Sequence, residues 1–188
     1  MTAGGPAVRA FVALELAQGF RERVMGVQAR LASTVKGVRW VKEQGLHVTL
    51  RFLGPSSAAQ LVALKEALAA AARACPATRA RVVGVGMFPE RGTPRVLWLG
   101  FQVDPVVLNL QAACEGAAVR SGFDPEPRGF VPHLTLGRWR ERSPRPALPD
   151  IDLGEVLLDT LTLFRSELGR EGAVYTPLDS YSLARADA

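Results

Sequence analysis

Phe20, Val24, Val27 and Leu31 recur at the spacing of one helix face, with Arg21, Arg23 and Arg30 turned elsewhere. This pattern predicts an amphipathic helix, preceded by a strand over RAFVALEL (9–16), a run rich in strand formers. VRWVKEQGLHVTLRFLG then reads as a short strand, a turn near Gln44-Gly45, and a second strand over 46–53 stopped by Gly54-Pro55. Ser56 or Ser57 opens a second helix whose apolar stripe is Leu61, Leu64, Leu68 and Ala71, and Pro76 ends it. RARVVGVGMF and RVLWLGFQV, separated by the turn-forming PERGTP, predict an antiparallel pair. Asp104-Pro105 opens a third helix, with Val107, Leu110, Cys114 and Ala117 along one face and Ser121-Gly122 at its close.

FDPEPRGFVP forms a proline-rich approach to the strand HLTLGRWR. RERSPRPALPD follows as a polar, proline-laden loop, too irregular for a packed element and basic enough to touch an anion. EVLLDTLTLFRSEL and AVYTPLDSYSL read as two strand-like runs joined by GREG, a hairpin. The expected order is β-α-β-β-α-β-β-α-β-β-β. Its halves are alike, each containing a helix, a loop and a His-x-Thr strand, and the two histidines are 133 − 47 = 86 residues apart. That interval is too long for a solenoid and suits a duplicated half-domain. The expectation is one α+β domain over 1–188 with two lobes related by a pseudo-twofold axis.

Hydrophobic residues make up 48% of the 188, and charged residues 22%, which excludes a disordered chain. The formal charge of +5 makes a polyanionic partner worth considering, although its source is almost all arginine, with lysine only at 36, 42 and 65. Cys75 and Cys114 lie in apolar helical context with no CxxC, so they read as buried thiols in a reducing cytoplasm. No run of 18 apolar residues occurs, and the N-terminus has no basic segment followed by a long apolar one. The expectation is a cytoplasmic protein without a membrane span.

The only two histidines, His47 and His133, both stand in His-x-Thr-Leu. Alternation on a strand puts His47 with Thr49, and His133 with Thr135, on one face, with the leucines and Val48 on the other. Neither His-Thr face carries a Cys, Asp or Glu to complete a zinc site, so no metal is expected. No Gly-x-Ser-x-Gly elbow is present either. Paired acid and base catalysis on a phosphate fits best: one neutral and one protonated imidazole coexist near neutrality. Thr49 and Thr135 would donate to non-bridging oxygens, and Arg138, just past the second motif, would offset the developing charge.

These residues resemble the two-histidine phosphoesterase superfamily, most closely its RNA 2′,3′-cyclic phosphodiesterase branch, also called 2′-5′ RNA ligase. The matching pieces are RAFVALEL, VRWVKEQGLHVTLRFLG, PRVLWLG, FVPHLTLGR and LFRSELGREGAVYTPL, which span nearly the whole chain. The resemblance implies a bilobal α+β fold, with two antiparallel β-sheets forming a central groove and helices outside. It implies that His47 and His133 are catalytic, that Thr49, Thr135 and Arg138 bind substrate, and that no metal or cofactor takes part. It also implies that His133 activates water and His47 protonates the departing O3′, opening a 2′,3′-cyclic phosphate to a 2′-phosphate.

The implied partner is RNA with 2′,3′-cyclic phosphate ends, tRNA fragments among them, met by a monomer. No lysine stands in a Lys-x-Asp-Gly setting, so any 2′-5′ ligation would be ATP-independent. The alternatives are a module that only binds RNA ends, or a phosphodiesterase for 2′-5′ oligoadenylates or small cyclic nucleotides. Arg95 and Trp98 fall near the groove in this reading, with Trp98 read as core packing ahead of base stacking. Among Phe11, Phe52, Phe88 and Phe130, Phe130 is favoured to stack on a base because it is close to His133. Arg51, Arg91, Arg128, Arg140 and Arg142 read as a solvated basic surface, and Trp40 as core beneath the first motif.

Overall fold

The computed structural model describes residues 8–169 and 172–185. Two readings therefore fall outside the described residues: the N-terminal segment 1–7, and Arg170 and Glu171 of the expected GREG turn. The order is β1 (Val8–Glu15), α1 (Gln18–Thr34), β2 (Val38–Trp40), a short 3-10 turn (Glu43–Gly45), β3 (His47–Ser56), α2 (Ala58–Ala74), β4 (Thr78–Phe88), β5 (Val96–Gln102), α3 (Pro105–Arg120), β6 (His133–Trp139), β7 (Asp152–Leu158), β8 (Thr160–Gly169) and β9 (Gly172–Ser182).

The expected helices form where the apolar stripes stood. Phe20, Val24, Val27 and Leu31 are buried on α1, Leu64 and Leu68 on α2, and Val107, Leu110, Cys114 and Ala117 on α3. Each fully buried leucine or valine contributes about 1.5–3 kcal/mol of transfer free energy. Caps set the starts of two helices. The Ser57 hydroxyl accepts from the Gln60 amide, and Gln60 reaches back to the Ser57 N–H. The Asp104 carboxylate accepts from the Val106 N–H ahead of Pro105. β3 does not stop at Gly54-Pro55: Gly54 adopts φ +70° and the strand runs on to Ser56, opposite Val8.

Among the described residues the named strands all pair antiparallel, in the order β7-β4-β5-β6-β3-β1-β8-β9, with β2 added alongside β6. The two expected sheets are thus the halves of one continuous sheet. They join at a narrow seam, where the pairing between β3 and β6 is the single register Val48↔Leu134. The halves mirror each other in topology, β1 beside β3 answering β5 beside β6, and α1 (from Gln18) answering α3 (from Pro105).

The run 155–168, read as one strand, is two. It breaks at Asp159, and β7 pairs with β4 in one half while β8 pairs with β1 in the other. This crossing ties the lobes together. Helices pack on one face of the sheet, against Ala10, Val12, Leu14, Val48, Leu99, Leu134 and Leu163. The opposite face, the groove side of the expected fold, carries a separate small cluster of Phe11, Ala13 and Phe164, with Tyr175 beside it and no helix residue in it. No helix among the described residues is long and apolar enough to cross a membrane.

Candidate active site

The seam decides the site. Val48 and Leu134 are fully buried against the helices, so the residues flanking each point the other way, into the groove. In an antiparallel pair, the register Val48↔Leu134 extended by one residue each way sets His47 opposite Thr135 and Thr49 opposite His133. The two motifs therefore meet head to tail across a local twofold, and each imidazole faces the other lobe's threonine. Among the described residues neither threonine hydroxyl has a hydrogen-bond partner, which leaves both free to donate to a ligand.

Strict alternation from His133 would send position 138 to the core with Leu134 and Leu136. The structure brings Arg138 to the groove instead, by a bulge. Trp98 pairs with Thr135 but Leu97 pairs with Gly137, so Leu136 is an extra residue on β6. Leu136 and Gly137 both turn inward, and Arg138, opposite Val96, returns to the face of His133 and Thr135. The first lobe repeats the device at Leu50, since Ala13 pairs with Thr49 and Val12 with Arg51. Phe52 thereby occupies the position on β3 that Arg138 occupies on β6. The pseudo-twofold is chemically broken, with a cation at one end of the groove and an aromatic ring at the other.

The Leu50 bulge also corrects one sequence expectation. Arg51 is not part of a solvated surface: it is turned inward and buried, ion-paired through Nε with Glu115 of α3 and 3.8 Å from Glu126. Its guanidinium also donates to the carbonyls of Phe52 and Asp124. Glu115 in turn accepts from the Glu126 N–H at 3.0 Å. Arg51 thus fastens β3, which carries the first histidine, to the loop that leads to the second. Arg91, Arg128, Arg140 and Arg142 are exposed as expected.

His47 sits in an aromatic cage: Phe11 at 4.8 Å, Phe164 at 5.8 Å and the edge of Tyr175 at 5.2 Å between ring centroids. Burial, and then the nearby positive charges of His133 and Arg138, lower its pKa from 6.5 to about 4. His133 meets the edge of Phe88 at 5.1 Å, and its Nδ1 lies 2.7 Å from the Val131 carbonyl oxygen. That oxygen can only accept, so Nδ1 carries a proton and Nε2 is the nitrogen left for chemistry. Burial lowers the His133 pKa, the bond to Val131 works against this, and Arg138 lowers it further.

Trp98 is on the groove face rather than in the helix-side core, beside Thr135 and 5.1 Å from Phe88. Its ring lies over Gly86, where any Cβ would collide with the indole. Phe130 packs half-buried against the core, whereas Phe52, 49% exposed, is the freest of the four phenylalanines considered for stacking. In the proline-rich loop, Arg145 donates to the carbonyls of Pro89 and Gly92, at 2.9 and 3.1 Å. Trp40 packs half-buried against the core, and Cys75 and Cys114 are both buried and unpaired. Among the described residues no group of three or more His, Cys, Asp or Glu side chains is placed to hold a metal ion.

Sequence reasoning missed Gln28. This buried α1 side chain donates to the carbonyls of Val41 and Leu136, at 3.0 and 2.8 Å, and so holds the β6 bulge from behind. Its signal was a polar residue inside the apolar stripe next to Val27 and Leu31.

The model of the LigT-like phosphoesterase family matches residues 14–98 and 102–175. A protein of Methanothermobacter thermautotrophicus named RNA 2′,3′-cyclic phosphodiesterase is 32% identical, over 94% of this chain and 99% of its own. Another of that name, from Thermus thermophilus, is 34% identical over 94% of this chain and 90% of its own. Among solved structures, E. coli LigT complexed with 3′-AMP superposes with a TM-score of 0.83 at 28% identity, covering 96% of this chain and all of that one. With both halves of the chain matched, and with the paired His-Thr strands at their common seam, the chain belongs to the LigT-like phosphoesterase family.

Proposed function

We propose that this protein opens the 2′,3′-cyclic phosphate at the end of an RNA strand to a 2′-phosphate and a 3′-hydroxyl, using two histidines and no metal. The observation that supports this reading is the Val48↔Leu134 register, from which alternation puts both His-Thr pairs on the same face of one seam. The activity named for the relatives supports the choice of substrate.

The cyclic phosphate lies between the rings, its non-bridging oxygens accepting from Thr49 and Thr135 while Arg138 offsets charge. His133 Nε2 takes a proton from water as the water oxygen bonds to phosphorus. The P–O3′ bond breaks and His47 gives its proton to O3′. With its pKa near 4, His47 is neutral in the empty groove at pH 7, so the anionic substrate itself must recruit the proton that is later delivered. If an RNA 5′-hydroxyl attacks in place of water, the same transfers join two ends through a 2′-5′ linkage without ATP.

The test is to incubate RNA ending in 2′,3′-cyclic phosphate with the protein and EDTA. The expected product is the 2′-phosphate, at an unchanged rate. His47→Ala and His133→Ala each lower kcat by about 10²–10⁴-fold while leaving the thermal melt intact. Full activity in either variant refutes the pair, and a 3′-phosphate product refutes O3′ as leaving group.

A further inference from the structure

β2 is only three residues long, yet it sets a second arginine beside Arg138. Arg39 is directly opposite Arg138, between the pairs Val38↔Trp139 and Trp40↔Gly137. Directly opposed residues of adjacent strands project from the same face, so both guanidinium groups issue from the groove side, one strand spacing of about 4.8 Å apart. Like charges in this position repel, and the arrangement lowers stability unless an anion joins them. Among the described residues neither Arg39 nor Arg138 has a carboxylate partner.

The close approach is built in by two glycines. A Cβ on Gly137 would lie 2.9 Å from the Arg39 carbonyl oxygen, so only glycine lets β2 lie against β6 here. A Cβ on Gly172 would lie 3.0 Å from the Arg39 Cζ, so the start of β9 leaves room for the guanidinium at the groove rim. Arg39 is half-buried there, at the His47 end of the seam, where Arg138 already acts on both His47 and Tyr175.

We propose that Arg39, together with Arg138, binds a second phosphate of the substrate: the phosphodiester on the 5′ side of the nucleotide that bears the cyclic phosphate. The assignment rests on the function proposed above. The terminal nucleotide has one other phosphate, the 5′ link to the rest of the strand, so a second anion site beside the reacting one takes that group. The site then selects an RNA strand over a nucleoside 2′,3′-cyclic phosphate. Arg39 is a specificity residue in this scheme and takes no part in proton transfer.

The experiment compares two substrates, adenosine 2′,3′-cyclic phosphate with a free 5′-hydroxyl and the dinucleotide ApA ending in 2′,3′-cyclic phosphate, in wild type, Arg39→Gln and Arg39→Lys. In Arg39→Gln the ratio of kcat/KM for the dinucleotide to that for the nucleoside falls about tenfold or more, as for loss of a charged hydrogen bond. The loss is in KM. The salt dependence of log kcat/KM for the dinucleotide becomes shallower by about 0.7, and Arg39→Lys restores part of the ratio. An equal loss on both substrates would make Arg39 a structural pin of β9, and an unchanged ratio would remove it from binding; either overturns the proposal. Should wild type turn over neither substrate, the functional reading fails by itself. The proposal is then decided by binding of ApA ending in a 2′-phosphate, where an equal Kd for wild type and Arg39→Gln overturns it.

Discussion

Filling the groove with an anion should change the protonation of His47, and the size of the effect follows from the site. In the free protein the His47 pKa is about 4, so roughly one ring in a thousand is protonated at pH 7. Sulfate is a suitable probe because it does not titrate near neutrality. One net negative charge about 4 Å from the ring, at an effective dielectric constant of about 20, contributes about 4 kcal/mol. At 1.36 kcal/mol per pKa unit this is a rise of about three units, which carries His47 to about 7. The chain has two histidines, so two imidazole Cε1–H signals follow the titration by NMR, and a His47→Gln variant assigns them. The expected result is a His47 midpoint near 4 without sulfate and two to three units higher at saturation. A midpoint at the ordinary 6.5 in the free protein, or one that sulfate leaves in place, would refute the account of a cage that excludes charge until an anion enters.

The same electrostatics bear on turnover and folding. In the proposed mechanism the productive free enzyme holds one proton on the histidine pair, and both pKa values lie below 6.5, so kcat/KM should be bell-shaped with its maximum on the acid side of 6.5. On the basic limb it falls about tenfold per pH unit as the doubly neutral pair takes over, and a maximum at pH 7.5 or above would contradict this. Arg51→Met leaves the Glu115 carboxylate without its cation and frees the loop before His133. It should cost about 3 kcal/mol, a fall in Tm of roughly 6–12 °C by calorimetry, and a change under 2 °C would show that the ion pair does not hold the lobes.

Much of this protein was legible in residue order because the signals were local. The apolar stripes of α1, α2 and α3 depend on a 3.6-residue period, and the Ser57 and Asp104 caps on neighbouring backbone, so neither needs knowledge of the rest of the chain. The pairing of His47 with Thr49 and of His133 with Thr135 follows from the two-residue period of a strand. What lay beyond reach depended on contacts between distant segments. The run 155–168 is rich in strand formers on both sides of Asp159, and nothing within it says that Asp159 divides a strand bound for β4 from one bound for β1. The bulges at Leu50 and Leu136 are set by strand pairing and, at Leu136, by Gln28 reaching in from α1. A bulge inverts alternation for every residue after it, so Arg51 went inward and Arg138 outward against the simple count. Residue order sufficed to mark two imidazoles, two hydroxyls and a guanidinium as the groups with chemistry to offer. That the two motifs share one face of one seam came from the Val48↔Leu134 pairing and from the bulges at Leu50 and Leu136, contacts between segments far apart in the chain.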